Sequence, residues 1–492
     1  MRARHLKRFA VLLSMALLIG CSSSGTDPRP QPTGKIEGVT ANSQVFDAYH
    51  QLAAIVVAYS EDVVAPSKEG YSVEDFITPT LRDDFMRWPV SSPAPVAAVY
   101  TNSQAAMRAN KTSVKGRFVV IELAPTTLSL PENADGVNML EHSGAMATMR
   151  TSAATDQCDY VRKNWADLAV TQNVDVKNAG GEVVVKAGPI PTLEYGDITH
   201  LEIGRFSQQV FMNSQGQGIH YSLYLPPNYD SAKSYPMFYY ITGNGGRLNY
   251  LQVDADGNFI SLGGPLTRDR FGIAATQLSE EAIVVLPQLW RNTPASWNNN
   301  TTNDAIALLE YLLGKYSINP KRVYAAGSSF GTMCLSQVLA QRPDLISAYM
   351  EFNGQWTGAP SAFSAADSTK LTGKDIAYLN ALPRVAKDAA WLAQARTVMG
   401  GVVANKIPVW VSHGVNDQTI PVTRGGVTAY EGLKALYQED GVAAADIDKL
   451  VQIHLFEDPA YLSMGVSERH ANVPAALKRT PELFTWALEI GK

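Results

Sequence analysis

The sequence predicts two folded units of different class, an all-β sandwich followed by an α/β domain with a mostly parallel sheet flanked by helices. Three observations carry this. Short strand-like runs separated by turn-rich pieces fill residues 35–207. Apolar runs of parallel-sheet type alternate with helical periodicity over residues 208–492. Within that second region, a serine flanked by glycines stands where a strand gives way to a helix. A length of 492 residues allows two to four domains. With 46% hydrophobic and 18% charged residues the chain can bury a core, which excludes global disorder. A formal charge of −5 lacks the basic footprint of a nucleic-acid binder.

The first twenty residues are set aside from fold reasoning. Arg2, Arg4, Lys7 and Arg8 form a positive region, and Phe9 to Gly20 an apolar one shorter than the roughly 20 residues a membrane span needs. The sequence Leu18-Ile19-Gly20-Cys21 resembles a bacterial lipobox, which implies cleavage before Cys21 and acylation of its thiol. Residues 1–20 are thus expected to be a lipoprotein signal peptide and residues 21–34, with Pro28, Pro30 and Pro32, a flexible tether. Two or three acyl chains hold a protein on a membrane where one does not. The expected location is extracytoplasmic and lipid-anchored, on the outer membrane if the cell is Gram-negative. Loss of the four basic residues would take the charge from −5 to about −9. Cys158 and Cys334 remain; they could pair in an oxidising compartment, but Cys334 in an apolar helix reads better as a small buried hydrophobe.

In residues 35–207, Ala54–Tyr59, Val96–Asn102, Phe118–Leu123 and Glu182–Lys186 have strand character. The polar, interrupted stretch 131–165 reads as a long loop or insertion. In the second region the expected strands are Tyr221–Leu225, Met237–Thr242, Ala282–Pro287, Val323–Ala326, Ala348–Phe352, Val409–Ser412 and Val451–Phe456. A helix is expected over Thr302–Tyr316, because Ala305, Leu308, Leu309, Leu312 and Tyr316 form one apolar stripe. Thr302 or Asn303 would cap it.

Gly327-Ser328-Ser329-Phe330-Gly331 is a G-x-S-x-G pentapeptide. Such a pattern arises by chance in about one chain of this length in five, so context decides its weight. Arg322–Ala326 reads as a buried strand and Thr332–Gln341 as a helix, the strand–turn–helix setting of a nucleophile elbow in the α/β-hydrolase fold. Ser329 alone of the two serines has glycines at both −2 and +2. A serine needs a base and an orienting acid, which in this fold follow in the order Ser, Asp/Glu, His. Asp417, in His413-Gly414-Val415-Asn416-Asp417 after the strand Pro408–Ser412, is the expected acid, with Glu351 as runner-up. His470, on a loop before the closing helix from Pro474, is the expected base; His454 reads as a strand residue packed against a neighbour. The oxyanion hole would use the backbone N–H of Phe330 and one from Thr242-Gly243-Asn244-Gly245-Gly246, with Asn244 first and Gly243 as the alternative. No Cys/His cluster with metal-ligand spacing and no phosphate loop is present, so no metal or cofactor is expected.

With these residues in hand, the chain resembles bacterial α/β-hydrolases of the predicted-peptidase group, similar to poly(3-hydroxybutyrate) depolymerase-like and feruloyl-esterase-like enzymes. The phrase from Tyr221 through Leu225-Pro226-Pro227-Asn228-Tyr229-Asp230, then Tyr235-Pro236, is similar to that family's first strand. Leu286-Pro287-Gln288 and Tyr316-Ser317-Ile318-Asn319-Pro320-Lys321-Arg322-Val323-Tyr324 match it too. Some members carry an N-terminal immunoglobulin-like domain, which Val99-Tyr100-Thr101-Asn102 and Gly116 to Leu123 resemble. The resemblance implies hydrolysis of a small-molecule or polymer ester, with a peptidase of the same machinery and a non-catalytic surface binding protein as alternatives. Two departures stand out. Thr242-Gly243 replaces the family's His-Gly, and Phe330 replaces a frequent Met, which is expected to narrow the space beside Ser329. Trp290, Trp297 and Trp356 are candidates for an aromatic-accepting cleft, although such residues are more often packing residues.

Overall fold

The computed structural model describes residues 31–45, 50–77, 90–124, 148–151, 158–161, 168–191, 198–216, 218–243, 251–253, 259–262, 270–289, 299–364, 366–367, 375–463, 469–470 and 472–491. Cys21, and with it the expected signal peptide, lies outside them.

Two sheets face each other in the first unit. One runs in the order Ile198–His200, Ile36–Val45, His50–Tyr59, Phe118–Leu123, Val96–Asn102, antiparallel except for the parallel pairing of its first two strands. The other runs Gly188–Pro189, Leu168–Gln172, Tyr71–Ile77, Val90–Pro93. Side chains alternate across a strand, so Ile55, Val57 and Tyr59 join Tyr71, Val73 and Val170 of the opposite sheet in one apolar cluster. Ala54 and Val56 pack on the other face with Tyr100 and Val120. Both faces of this strand are covered, which is why its sequence is continuously apolar. Between the sheets, the buried Tyr59 hydroxyl donates to Gln172 Oε1 at 2.7 Å and lies 2.9 Å from that of Tyr71. Burial pushes the Tyr59 phenol up to about 12.

The stretch 131–165 is not wholly loop. Thr148–Thr151 and Cys158–Val161 pair as a hairpin, and Thr148–Thr151 also pairs with Leu251–Val253, itself paired with Phe259–Leu262. The partner lies about a hundred residues further along the chain, so no local pattern announces the pairing.

The eight strands of the large sheet are β1 (Ser207–Met212), β2 (Gly218–Tyr224), β3 (Tyr235–Ile241), β4 (Ile283–Gln288), β5 (Ile318–Ser328), β6 (Ala348–Phe352), β7 (Val409–Gly414) and β8 (Val451–Phe456). Their spatial order is β1-β2-β4-β3-β5-β6-β7-β8. β1, β2 and β4 pair antiparallel, and every pairing from β4 through β8 is parallel. This is the α/β-hydrolase arrangement, with an antiparallel edge on an otherwise parallel sheet. Among the helices are α1 (Phe271–Ala275), α2 (Asn299–Lys315), α3 (Phe330–Gln341), α4 (Ala389–Ala404), α5 (Gly426–Glu439), α6 (Asn472–Arg479) and α7 (Leu483–Glu489); the described residues also form the helices Ile376–Ala381, Ala444–Leu450 and Asp458–Leu462. Tyr239, Ile241, Val285, Val323 and Val411 pack with α2 to α5, while Phe238, Tyr240, Val284, Tyr324 and Trp410 pack with α1, α6 and α7. Helices on both faces account for strands whose apolar residues point to either side of the sheet.

β1 lacks this pattern, because Val210 and Met212 are exposed at the sheet edge, and the sequence reading missed it. The helix expected from Thr302 begins at Asn299, so neither Thr302 nor Asn303 is its cap. Thr302 is buried and its hydroxyl donates to Gln337 Oε1 at 3.2 Å on α3. Ala305, Leu308, Leu309 and Leu312 of the expected stripe are fully buried, while Tyr316 lies just past the end of the helix and is half-buried. Cys334 is a free buried thiol, and burial pushes it up to about 12. The two units meet where Phe206 packs on Tyr224, with ring centroids 5.7 Å apart, and where Arg205 donates to Tyr224 Oη at 3.0 Å and Thr276 Oγ1 at 3.1 Å. Among the described residues no helix is long and apolar enough to cross a membrane.

Candidate active site

β5 ends at Ser328 and α3 starts at Phe330, leaving Ser329 alone between them with φ 50° and ψ −112°. A left-handed φ at a residue with a side chain is strained and persists only where its surroundings impose it. Here the glycines on either side let them. A Cβ on Gly331 would lie 1.8 Å from the carbonyl oxygen of Ile241 on β3, and one on Gly327 would lie 2.7 Å from the backbone of Gly331 and Thr332. The turn is thus clamped backbone to backbone against the neighbouring strand, and no larger residue fits at either position. The Ser329 N–H donates to Phe352 O at the end of β6 (3.0 Å), and Thr332 Oγ1 donates back to Gly327 O (2.9 Å). Ser329 is half-buried at the C-terminal end of the sheet, where open α/β sheets place their sites.

Asp417 lies on the loop after β7, with its side chain fully buried. Its Oδ1 accepts the N–H groups of Thr419 (2.8 Å) and Ile420 (3.0 Å). Its Oδ2 is 2.7 Å from Nδ1 of His470, which comes from the loop before α6 and keeps 13% side-chain exposure. Burial by itself would raise the Asp417 carboxyl, but hydrogen bonds from His413 and His470 outweigh it and hold the group well below the usual carboxylate range. Asp417 is therefore ionised at neutral pH and fixes a proton on His470 Nδ1, leaving Nε2 as an acceptor.

His413 was read from the sequence only as part of the motif before Asp417, and the structure gives it a place beneath the acid. It is fully buried; Nδ1 accepts the Gly426 N–H at 3.1 Å, so the proton sits on Nε2. Nε2 is 2.9 Å from Ile420 O and 3.4 Å from Asp417 Oδ2. The runner-up acid, Glu351, is not bonded to either histidine. It sits fully buried inside β6, where Trp356 Nε1 donates to Oε2 at 2.7 Å and Oε1 has no hydrogen-bond partner among the described residues. Burial pushes its carboxyl up to about 7, against the opposing effects of Trp356 and His413. His454 is a packing residue as read, stacked on Trp410 at 3.9 Å and 8°.

Gly243 stands against the elbow: a Cβ there would lie 3.2 Å from Ser329 Cβ and 3.8 Å from its Oγ, so the β3 loop passes beside the serine. The N–H of Phe330 is the first of α3, but the Phe330 ring does not narrow the space beside Ser329 as expected. It is buried in the apolar cluster of α2 to α5, because the elbow turns the next side chain inward. Trp356, expected as a cleft candidate, is 3% exposed and committed to Glu351 and to the Tyr349 ring. Asn244, Trp290 and Trp297 lie outside the described residues. No group of three His, Cys, Asp or Glu side chains among the described residues is placed to hold a metal ion.

Two predictions follow from this geometry. Gly331→Ala should cost about 3 kcal/mol or more, because a strand carbonyl cannot yield as a flexible side chain can; a urea midpoint or the soluble yield reads it. Glu351 keeps its proton in the folded chain between about 4.5 and 7 while the unfolded chain loses it, so stability falls as pH rises through that window. Glu351→Gln, which cannot ionise, should therefore gain in stability on the wild type between pH 5 and pH 8, by about 3 kcal/mol at most, read as a rise in Tm relative to wild type. A pH-independent offset would show that the carboxyl does not titrate there.

Comparison with known proteins agrees with the two-unit architecture. Residues 38–185 match the model of the esterase Ig-like N-terminal domain. Residues 288–425, which include Ser329 and Asp417, match that of the prolyl oligopeptidase family. No curated protein matches the chain by sequence. Among solved structures, a thermostable esterase superposes with a TM-score of 0.60 at 18% identity, covering 92% of this chain and 100% of that one. A ferulic acid esterase from Anaeromyces mucronatus in complex with ferulic acid reaches 0.36 at 16% identity, covering 57% and 91%. An acylaminoacyl peptidase from Pyrococcus horikoshii reaches 0.37 at 14% identity, covering 66% and 48%. The chain joins an immunoglobulin-like β-sandwich, similar over residues 38–185 to the esterase N-terminal domain, to a domain of the α/β-hydrolase fold that is similar over residues 288–425 to the prolyl oligopeptidase family.

Proposed function

We propose that the chain hydrolyses carboxylic esters through an acyl-enzyme on Ser329, with His470 as general base and Asp417 as the orienting acid. The observation that carries this reading is the 2.7 Å contact between His470 Nδ1 and the ionised Asp417, on loops at the same end of the sheet as the strained serine. Ser329 Oγ attacks the carbonyl carbon as His470 Nε2 takes its proton. The resulting oxyanion accepts hydrogen bonds from the Phe330 N–H and from the Gly243-Asn244 loop. Collapse expels the alcohol, which leaves with the proton from His470. Water then repeats the sequence on the acyl-enzyme and releases the acid. The match of the first unit to an esterase-type domain favours esters over amides. The match of the second to the prolyl oligopeptidase family motivates a peptidase as the second reading, with the same triad.

Hydrolysis of p-nitrophenyl acetate and butyrate, beside matched anilides, tests both. Ser329→Ala should lower ester turnover by about 10^4-fold or more. Faster turnover of the anilides would favour the peptidase. Equal activity of the variant and wild type would remove Ser329 from the mechanism, and an inactive wild type that a fluorophosphonate fails to label would favour a binding protein.

The second part of the proposal is placement on a membrane through acylated Cys21, supported by the basic and apolar run that ends in Leu18-Ile19-Gly20-Cys21. Cys21→Ser should move the protein from the membrane to the soluble fraction and abolish incorporation of labelled palmitate. An unchanged distribution would refute the anchor.

A further inference from the structure

The reacting groups proposed above sit on three separate pieces of chain, and hydrophobic packing alone does not set their mutual distances to the tenths of an ångström that proton transfer needs. One side chain bonds the supports of two of them and belongs to the residue next to the support of the third. Asn353 follows β6 immediately, fully buried and with φ 45°, a left-handed conformation that asparagine tolerates better than most residues. The strand stops there, so the side chain takes over the pairing that the backbone gives up. Its Oδ1 accepts the Gly414 N–H at 2.8 Å, at the end of β7 and three residues before Asp417. Its Nδ2 donates to the carbonyl oxygen of Arg469 at 2.6 Å, the residue joined to His470. Its own N–H donates to Ser412 O at 2.9 Å, and the carbonyl of the preceding Phe352 holds the Ser329 N–H.

A second bridge repeats the design from the far side. Asp458, at the start of the short helix Asp458–Leu462, accepts from Asn416 Nδ2 (3.1 Å) and from Arg469 Nε (2.9 Å) through one oxygen, Oδ1. Asn416 and Arg469 are the residues immediately before Asp417 and His470. Those bonds hold the Asp458 carboxyl below its ordinary range, the Arg469 contact most of all. The loops also meet closely: a Cβ on Gly414 would lie 2.9 Å from Arg469 O and 2.4 Å from Tyr461 Oη.

We propose that Asn353 is a positioning residue that holds the His470 loop against the Asp417 loop at a fixed distance from Ser329, with Asp458 as the second tie between the same two loops. The proposal rests on the triad reading. It also explains the residue type. The Gly414 N–H needs an acceptor and the Arg469 carbonyl a donor, about one side chain apart, and a short amide offers both on separate atoms. Aspartate can accept but not donate; alanine does neither. Asn353 makes no contact with substrate in this scheme and acts only through the loops.

The test is steady-state hydrolysis of p-nitrophenyl butyrate by Asn353→Ala, Asn353→Asp, Asp458→Ala and Ser329→Ala, each with its urea midpoint and its rate of fluorophosphonate labelling. A misplacement of about 1 Å costs on the order of 10^2-fold. Asn353→Ala and Asn353→Asp should therefore lose about 10^2-fold in kcat and in labelling rate with KM unchanged, and Asp458→Ala about tenfold in the same pattern. If the Asn353 variants do not fold, Asp458→Ala, which alters a half-exposed side chain, decides the question. Wild-type kcat in folded variants, or a loss expressed in KM alone, would overturn the proposal. Full activity in Ser329→Ala would instead locate the failure in the triad reading itself.

Discussion

The elbow at Ser329 is the constraint on which the second unit is built. A serine can hold φ 50° only if the strand before it and the helix after it are pinned, and the pinning is backbone against backbone, Gly331 on Ile241 and Gly327 on Gly331. β3 and β5 must therefore be adjacent in the sheet and α3 must cross close above them. The burial of Phe330, Cys334, Leu335 and Val338 on the inner side of α3 supplies the apolar contact that holds this arrangement. The strain is local, and the restoring force is distributed over the core.

Two buried carboxyls, Glu351 inside β6 and Asp417 on the loop after the neighbouring β7, show how surroundings assign roles. Asp417 collects two backbone N–H groups and two imidazoles and stays charged. Glu351 is given one indole N–H and is pushed up to about 7. Burial raises both; the difference lies in how many donors converge. His413, placed under Asp417 with Nδ1 already occupied by Gly426, adds a donor to the acid. The ionised acid in turn sets the tautomer of His470.

The first unit depends less on polar networks and more on covering both faces of its central strand. It meets the α/β-hydrolase domain at β2 and α1, through Phe206, Tyr224 and Arg205, and again where Thr148–Thr151 pairs with Leu251–Val253, a strand that follows β3 and the Gly243 loop in the chain. The second contact brings a piece of the sandwich unit's chain into register with a piece of the hydrolase unit.

What the sequence by itself determined is whatever is written in short-range pattern. Apolar runs marked β6 and β8 to the residue, 3.6-residue spacing marked the stripe of α2, and a serine with glycines at −2 and +2 at a strand-to-helix change marked the elbow, although the clash that selects Gly331 is with Ile241 on β3. A place on the loop after a strand, against a place inside one, ranked Asp417 and His470 ahead of Glu351 and His454. Only the tertiary structure joined them. Asp417 and His470 are 53 residues apart, and Asn353 and Arg469 are 116 apart. An asparagine after a strand looks like any other loop residue. The helix start at Asn299 and the inward turn of Phe330 were likewise decided by neighbouring elements. Long-range hydrogen bonds and burial depend on which surfaces meet, and one-dimensional spacing carries no record of that meeting.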